Sequence, residues 1–257
     1  MIAILSPAKD MNVLPNEERA TSKHTQPTFL NEAEKLIDVL RHFKKEELKD
    51  LMKISDKLAT LNYDRYANWD EKHTVKNATQ AIYSFTGEAY RGLDAASLKA
   101  SDAEYAQKVF RVLSGLYGVL RPLDLIQPYR LEMGTKYGFR DKKNLYDFWG
   151  NKITENIEKA IETSPGEKVL VNLASNEYSK AIDFKKLKYK VVTPSFYEER
   201  NGKLKMITVY AKKARGMMTR FIIENRIEKL EDLKAFDLDG YYFSNDNSEA
   251  GKLVFVR

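Results

Sequence analysis

Apolar residues recur with helical spacing through most of the first two thirds of the chain. Before that pattern begins, the short apolar run Ile2–Leu5 is followed by Pro7, which predicts a buried strand. Residues 12–28 are polar and contain two prolines, so we expect a surface loop there. The periodicity then predicts six helices, Phe29–Phe43, Lys45–Lys53, Ser55–Tyr66, Val75–Phe85, Asp102–Leu113 and Leu145–Ile161. Thr74 and Ser101 are the expected N-caps of two of them.

The apolar runs of the last third have the length of strands. Val169–Leu173 predicts a buried strand, and Val191–Tyr197 and Leu204–Tyr210 flank Asn201-Gly202, a strong hairpin signal. Residues 241–243 and 253–256 predict a final pair of short strands. Because strands lie at both ends of the chain with helices between them, we expect an α+β fold. Residues 1–257 would form a single compact domain, a mixed β-sheet surrounded by helices.

The segment that follows Tyr210 predicts a helix with an apolar face and a basic face. At about 100° per residue, one arc holds Ala214, Met217, Met218, Phe221 and Ile222. The opposite arc holds Lys212, Lys213, Arg215, Gly216, Thr219, Arg220 and Arg226. Glu224 is the one acid between Tyr210 and Arg226, whereas solvated helices usually mix both signs. The pattern favours an anionic partner, and a plain solvated face is the alternative.

The charge and cysteine content narrow the class of protein. The net charge is +6 and the isoelectric point about 9.1, and residues 185–226 hold twelve Lys or Arg against three Asp or Glu. The chain has no cysteine, which excludes disulfides, thiolate catalysis and iron–sulfur clusters and favours a reducing cytoplasm. His24, His42 and His73 are far apart. We therefore expect no metal site, no cofactor, no signal peptide and no membrane segment.

Polar residues follow three of the predicted strands. Ser6 and Lys9 follow the first, Ser175, Asn176 and Glu177 follow Val169–Leu173, and the basic helix follows Leu204–Tyr210. Since ligands bind beyond the carboxyl ends of parallel strands, these residues would line one cleft. The alternative is that Ser175 only caps a helix and Lys9 is only a loop charge. Glu177, with Lys9, is the candidate acid or base if the protein is an enzyme.

Two segments are candidates for a helix-hairpin-helix element. Leu113–Gly134 has Gly115 and Gly118 amid apolar residues, a spacing that fits a tight turn approaching a DNA phosphate. Glycine also serves helix packing, and Arg121, Asp124, Arg130 and Glu132 are equally suited to internal salt bridges. In the second segment, Ser55–Trp69, Thr60 stands where a hairpin turn favours glycine.

The whole chain resembles the YaaA family of bacterial peroxide stress response proteins. The resemblance rests on Ser6-Pro7-Ala8-Lys9, Ile54–Leu58, Leu113–Gly134, Tyr146–Gly150, Asn172–Ser175 and Tyr210–Arg226. It implies a cytoplasmic protein that lowers free iron during hydrogen peroxide stress. It also implies binding of double-stranded DNA through a basic cleft and a helix-hairpin-helix element.

The residues and the resemblance together predict a DNA-binding stress protein with little sequence specificity, expected to be a monomer. Its DNA contacts would come from Lys9, Lys57, Arg121, Lys212, Lys213, Arg215, Gly216 and Arg220, with Ser6, Ser175 and Asn176 as polar cleft residues. The absence of cysteine and of a histidine cluster predicts an indirect effect on iron. The first alternative is an enzyme acting on a nucleotide or on a base within DNA, and the second is a module for an acidic protein partner.

Overall fold

The computed structural model describes residues 1–12, 18–139 and 141–257. Residues 13–17 of the predicted loop 12–28 lie outside this part. The described residues form helices α1 Leu30–Leu40, α2 Lys45–Met52, α3 Asp56–Asn68, α4 Glu88–Leu93, α5 Ala100–Val109, α6 Leu145–Trp149, α7 Lys152–Thr163, α8 Asn176–Ser179 and α9 Thr208–Glu224. The strands are β1 Ile2–Leu5, β2 Thr79–Gln80, β3 Phe110–Ser114, β4 Gly118–Leu120, β5 Leu125–Ile126, β6 Val169–Asn172, β7 Lys190–Arg200, β8 Lys203–Lys205, β9 Tyr242–Phe243 and β10 Lys252–Val256.

A mixed sheet organises the domain in the order β4-β3-β1-β6-β7-β10-β9, and β8 pairs with the end of β7. The five central strands are parallel, whereas β4, β8 and β9 pair antiparallel with their neighbours. Strand β1 is buried along its whole length between β3 and β6, and helices α5, α7 and α9 contact it. The α+β prediction with a mixed sheet surrounded by helices is confirmed.

Several predicted elements are confirmed where the local signal was strong. Strands β1 and β6 and helices α1, α2 and α3 form where the apolar pattern predicted them. Asn201 and Gly202 take φ values of 51° and 68° in the turn that joins β7 to β8, as a two-residue hairpin requires. The predicted final strand pair forms as β9 and β10.

Three predicted helices differ from the structure. Val75–Phe85 is not an α-helix: it contains β2 and a 3₁₀ turn, Ala81–Tyr83, because β2 pairs with the distant β5. Asp102–Leu113 is helical only to Val109, where β3 begins, and Ser101 lies inside α5 while Lys99 is its N-cap. Leu145–Ile161 is split into α6 and α7 at Gly150, which has a φ of 49°.

The predicted strand Leu204–Tyr210 is wrong. Strand β8 ends at Lys205 and its three residues are exposed, and α9 begins at Thr208. The helix buries Ala211 and Ala214, which follow the predicted strand, while Val209 and Tyr210 stay exposed in its first turn. The basic residues that follow Tyr210 therefore lie within a helix rather than at the end of a strand.

Neither predicted helix-hairpin-helix segment has that structure. Within Leu113–Gly134, residues 115–117 join β3 to β4 as a hairpin turn, and Gly118, with a φ of 67°, packs on the ring of Trp149. Ser55–Trp69 contains the single helix α3, with Thr60 exposed at its middle, so the missing glycine affects no turn there. Helices α2 and α3 do form a pair, joined by a turn at Lys53–Ser55 upstream of the predicted turn.

Candidate functional site

A cavity of about 500 Å³ lies beyond the carboxyl ends of β1 and β6. The two strands are parallel neighbours in which Ile4 pairs with Asn172. Their polar ends are hydrogen-bonded, because the Ser6 hydroxyl accepts from the Ser175 amide at 2.9 Å and lies 3.2 Å from the Ser175 hydroxyl. The convergence of these two strand ends, predicted from the sequence, is confirmed. The third contribution comes from a helix instead.

Helix α9 reaches this cavity because it packs very closely on α4. A Cβ atom on Gly216 would lie 1.7 Å from the backbone oxygen of Ala89, and one on Gly92 would lie 2.1 Å from that of Lys213. Only glycine permits this approach. The two helices therefore form one wall of the cavity, with Lys212 and Arg215 facing it. Gly216, a predicted DNA-contact residue, is buried in the helix contact, so its backbone does not face the cavity surface.

Arg215 is half-buried and has no acidic partner. In the described part of the chain, its guanidinium makes neither a hydrogen bond nor an ion pair, and burial lowers its pKa below the usual value. Lys212, three residues earlier on the same side of α9, is exposed and is also unpaired there. A partly buried cation without a counter-charge costs free energy, which an incoming anion would recover.

Acidic residues with partners of their own form another part of the wall. Glu132 accepts from Lys9 at 2.8 Å and from Arg130 at 3.0 Å. A carboxylate oxygen of Glu177 accepts from the Gly134 amide at 2.9 Å. The cavity is therefore basic along α9, while on the acidic part of the wall Glu132 is neutralised by Lys9 and Arg130 and, among the described residues, the Glu177 carboxylate is bound only by a backbone amide.

The cavity continues into a second depression of about 380 Å³. Both are lined by Lys9, Glu132 and Glu177, and the second also by Lys53, Arg130 and Lys136. We call the cavity and the second depression together the groove. It is lined by six basic side chains and four acidic ones. Four of the basic side chains have no acidic partner among the described residues: Lys53, Lys136, Lys212 and Arg215.

Three predicted DNA-binding residues are held by internal partners instead. Arg220 bonds the carbonyls of Leu93 and Asp94, and it forms ion pairs with Asp94 and Glu224. Lys213 pairs with Asp239 at 3.2 Å, and the side chain of Arg121 pairs with buried Asp124. None of the three lines the groove.

Of the other predicted residues, some lie in or beside the groove and others do not. Lys57 is exposed in the first turn of α3, beside the turn that carries Lys53. Asn176 is exposed and does not line the groove, whereas Ser175 is the N-cap of α8 and also a groove residue. Arg226, on the predicted basic face, bonds Asp102 and stacks on Tyr105.

Sequence reasoning missed several groove residues. Tyr90 lines the cavity and its hydroxyl donates to the Ser6 carbonyl at 3.0 Å, but α4 was not among the predicted helices. Lys53 follows the last apolar position of α2, where a basic residue is common at a helix end. Nothing local to Lys136 distinguishes it from other surface lysines.

The described residues contain neither a cluster of metal ligands nor a helix that could span a membrane. No group of three His, Asp or Glu side chains comes together there in the manner of metal ligands. In the same part of the chain, every helix is too short or too polar to cross a membrane.

Known proteins match this chain over nearly its whole length. The family described as peroxide stress protein YaaA matches residues 1–247. A UPF0246 protein of Alteromonas mediterranea is 50% identical over 257 residues, which cover 100% of this chain and 98% of that protein. All residues of the groove, from Leu5 to Arg215, lie within both matches.

Proposed function

Since this chain belongs to the family of peroxide stress protein YaaA, which gives it a role in the peroxide stress response, we propose that it acts by binding double-stranded DNA. The groove is the proposed contact surface. The protein would work in the cytoplasm and limit iron-dependent oxidative damage to the DNA that it covers.

The observation that supports this proposal is the set of unpaired cations in the groove. Lys53, Lys136, Lys212 and Arg215 lack acidic partners in the described structure, whereas neighbouring basic residues such as Lys213 and Arg220 have them. A protein that binds DNA gains most of its affinity from phosphate contacts made by such free cations. We infer that the groove follows a DNA backbone.

The turn between α2 and α3 is the second part of the proposed contact. Lys53 in this turn and Lys57 in the first turn of α3 are both exposed without an ionic partner in the part of the chain that is described. Lys53 has a φ of 51°, a left-handed conformation that turns the chain sharply and brings the two lysines to one end of the helix pair. Both side chains would contact phosphates adjoining the groove.

We propose that binding is largely independent of DNA sequence. The proposed contacts come from lysine and arginine side chains that reach phosphates, and such contacts carry no base information. The iron effect would then follow from protection of DNA rather than from storage of iron by a chain without cysteine. Tight, stoichiometric binding of ferrous iron by the purified protein would contradict this last point.

Binding to short duplexes as a function of salt tests the proposal. The five proposed cations would contact four or five phosphates, which predicts a slope of log affinity against log salt of about −4, since each phosphate contributes about −0.9. Two duplexes of unrelated sequence should give the same slope and affinities within about tenfold. A flat salt dependence, or no binding at low salt, would contradict the proposed function.

The cavity favours one alternative, an enzyme acting on a nucleotide or on a base within DNA. It is concave and partly apolar, and Glu177 lines it, as a catalytic carboxylate would. Turnover of a nucleotide or a modified base by the wild type, and its loss in Glu177→Gln, would support this alternative. A purely binding role predicts that Glu177→Gln changes no reaction.

A further inference from the structure

The cavity at the ends of β1 and β6 has features that contact with the DNA phosphate backbone alone does not require. Its volume of about 500 Å³ is in the range of sites that enclose a small ligand. The side chains of Pro7, Ala8, Tyr90 and Leu173 give it apolar walls. A flat, ring-shaped group bound in the cavity would cover these apolar side chains and exclude water from them.

Its basic end fits one phosphate group. Arg215 has a planar fork of donors that suits two phosphate oxygens, and Lys212 adds a point charge from the same side of α9. Among the described arginines, Arg215 is the one that is partly buried yet makes no hydrogen bond or ion pair. The guanidinium is therefore already placed without a protein group to bind.

The acidic part of the cavity fits a neutral group that donates hydrogen bonds. Glu132 and Glu177 line both the cavity and the second depression, whereas Lys212 and Arg215 line only the cavity. Asp10 and Glu88 also line only the cavity, and Glu88 is paired with Arg91, so the cavity carries both signs of charge. Glu177 uses one hydrogen bond from Gly134, and a carboxylate has about four acceptor positions, so it retains capacity for the edge of a ligand.

We propose that this cavity binds a single nucleoside monophosphate, with the phosphate at Lys212 and Arg215 and N–H groups of the base at Glu177. Guanine fits this arrangement because its N–H groups at positions 1 and 2 lie side by side and match one carboxylate. The hydroxyls of Ser6 and Ser175 also line the cavity and would meet the sugar. The ligand is either a free nucleotide or one nucleotide unstacked from DNA, and only the second case rests on the proposed DNA binding.

Calorimetric titration of the full chain with dGMP, deoxyguanosine and inorganic phosphate tests the proposal without any DNA. We expect dGMP to bind more tightly than deoxyguanosine or phosphate alone. Arg215→Ala should weaken dGMP roughly 10- to 100-fold, in line with the loss of a charged hydrogen bond. Arg215→Lys should lose less, and Glu177→Gln should weaken dGMP while leaving inorganic phosphate unchanged.

Lys213→Ala is the matched control, because Lys213 is on the same helix but pairs with Asp239 and does not line the cavity. Thermal melting confirms that each variant is folded. Lys212→Ala offers a second test at an exposed position where misfolding is not expected. Equal affinities for dGMP and deoxyguanosine, or equal effects of Arg215→Ala and Lys213→Ala, would overturn the assignment for free nucleotide.

A duplex in which one unpaired guanine stacks on a neighbouring 2-aminopurine, whose fluorescence rises when that guanine leaves the stack, distinguishes the two sources of the ligand. Fluorescence that rises on binding in the wild type and not in Arg215→Ala supports an unstacked nucleotide of DNA. Binding of dGMP without that rise supports a free nucleotide. Absence of both responses overturns the proposal even if the duplex binds with a steep salt dependence, so its failure is distinct from that of the proposed function.

Discussion

His73 is buried in a polar network within the core, and its protonation is costly there. Its Nε2 lies 3.0 Å from the Tyr117 hydroxyl and its Nδ1 lies 3.2 Å from Nε2 of Gln127. The same Tyr117 hydroxyl accepts from the indole of Trp69. Removal from water lowers the pKa of His73 from 6.5 to about 4.

We predict that His73 makes the folded protein less stable at mildly acidic pH. The unfolded chain takes up a proton near pH 6.5 and the folded chain only near pH 4, so the contribution is complete above pH 6.5 and is lost as the pH falls. Over that range, the free energy of unfolding should decrease by about 3 kcal/mol, at about 1.4 kcal/mol for each pH unit. Urea unfolding at several pH values measures it.

The comparison with His73→Gln isolates this contribution, because the carboxylates titrate equally in both proteins. The variant should be less stable at pH 7, where its amide packs less well, but should lose less stability on acidification. If both proteins show the same change in free energy between pH 7 and pH 4.5, the assignment to His73 is wrong.

The sequence predicted that α9 has a basic face, but it did not predict which of these basic residues form ion pairs within the protein. Arg220 bonds Asp94, Arg226 bonds Asp102 and Lys213 bonds Asp239. Two of these acids lie more than a hundred positions from their partners, so the local absence of acids on α9 was no guide to the charge around it. Arg215 is recognised as unpaired only once the fold is known.

At the level of elements, the contact between α4 and α9 positions the groove. Helix α4 was not predicted, although Gly92 and Gly216 form the closest part of this contact. A glycine in a helix usually weakens it, and replacement by alanine usually stabilises by about 1 kcal/mol. Here the added methyl group would collide with a backbone oxygen of the other helix.

We therefore predict that Gly216→Ala destabilises the protein by about 1–3 kcal/mol, the usual cost of overpacking. Gly92→Ala should act in the same direction, since its Cβ would lie 2.1 Å from the Lys213 oxygen. Urea unfolding gives the difference, with Thr60→Ala, at an exposed position of α3, as a control that should change little. Stabilisation by Gly216→Ala would show that the two helices are not in such close contact.

Elements with local signals were predictable and those set by distant pairing were not. The apolar runs of β1 and β6 and the Asn201-Gly202 turn carry their structure in their own residues. By contrast, β2 exists because it pairs with β5, more than forty residues later, and the same residues have helical spacing. Strand β8 is cut short because burial of α9 outweighs the strand preference of its first residues.

At the scale of the whole molecule, the part of the site that could be predicted is the part that the order of the strands brings together. Parallel neighbours β1 and β6 bring Ser6 and Ser175 together, and the residues after both strands line the groove. The extension of the groove past Glu132 to Lys53 and Lys136 depends on how α2 and residues 130–136 pack, which no local pattern indicates. The groove joins segments from six parts of the chain into one surface with free positive charge.

The most direct test of the central claim compares two variants that remove the same charge from different places. Lys212→Ala with Arg215→Ala empties the basic end of the groove, whereas Lys213→Ala with Lys234→Ala removes two lysines that form surface pairs with Asp239 and Glu231. Both variants should be folded, because surface ion pairs contribute about 1 kcal/mol or less.

The affinity of each variant for one duplex is measured over a range of salt concentrations and compared with that of the wild type. We predict that the groove variant loses one to two units of the salt slope, since each phosphate contributes about 0.9 and Lys212 and Arg215 contact either one phosphate or two. The paired-lysine variant should keep the wild-type slope. Equal changes in the two variants would show that DNA responds only to net charge, and an unchanged slope in the groove variant would show that DNA binds elsewhere on the protein.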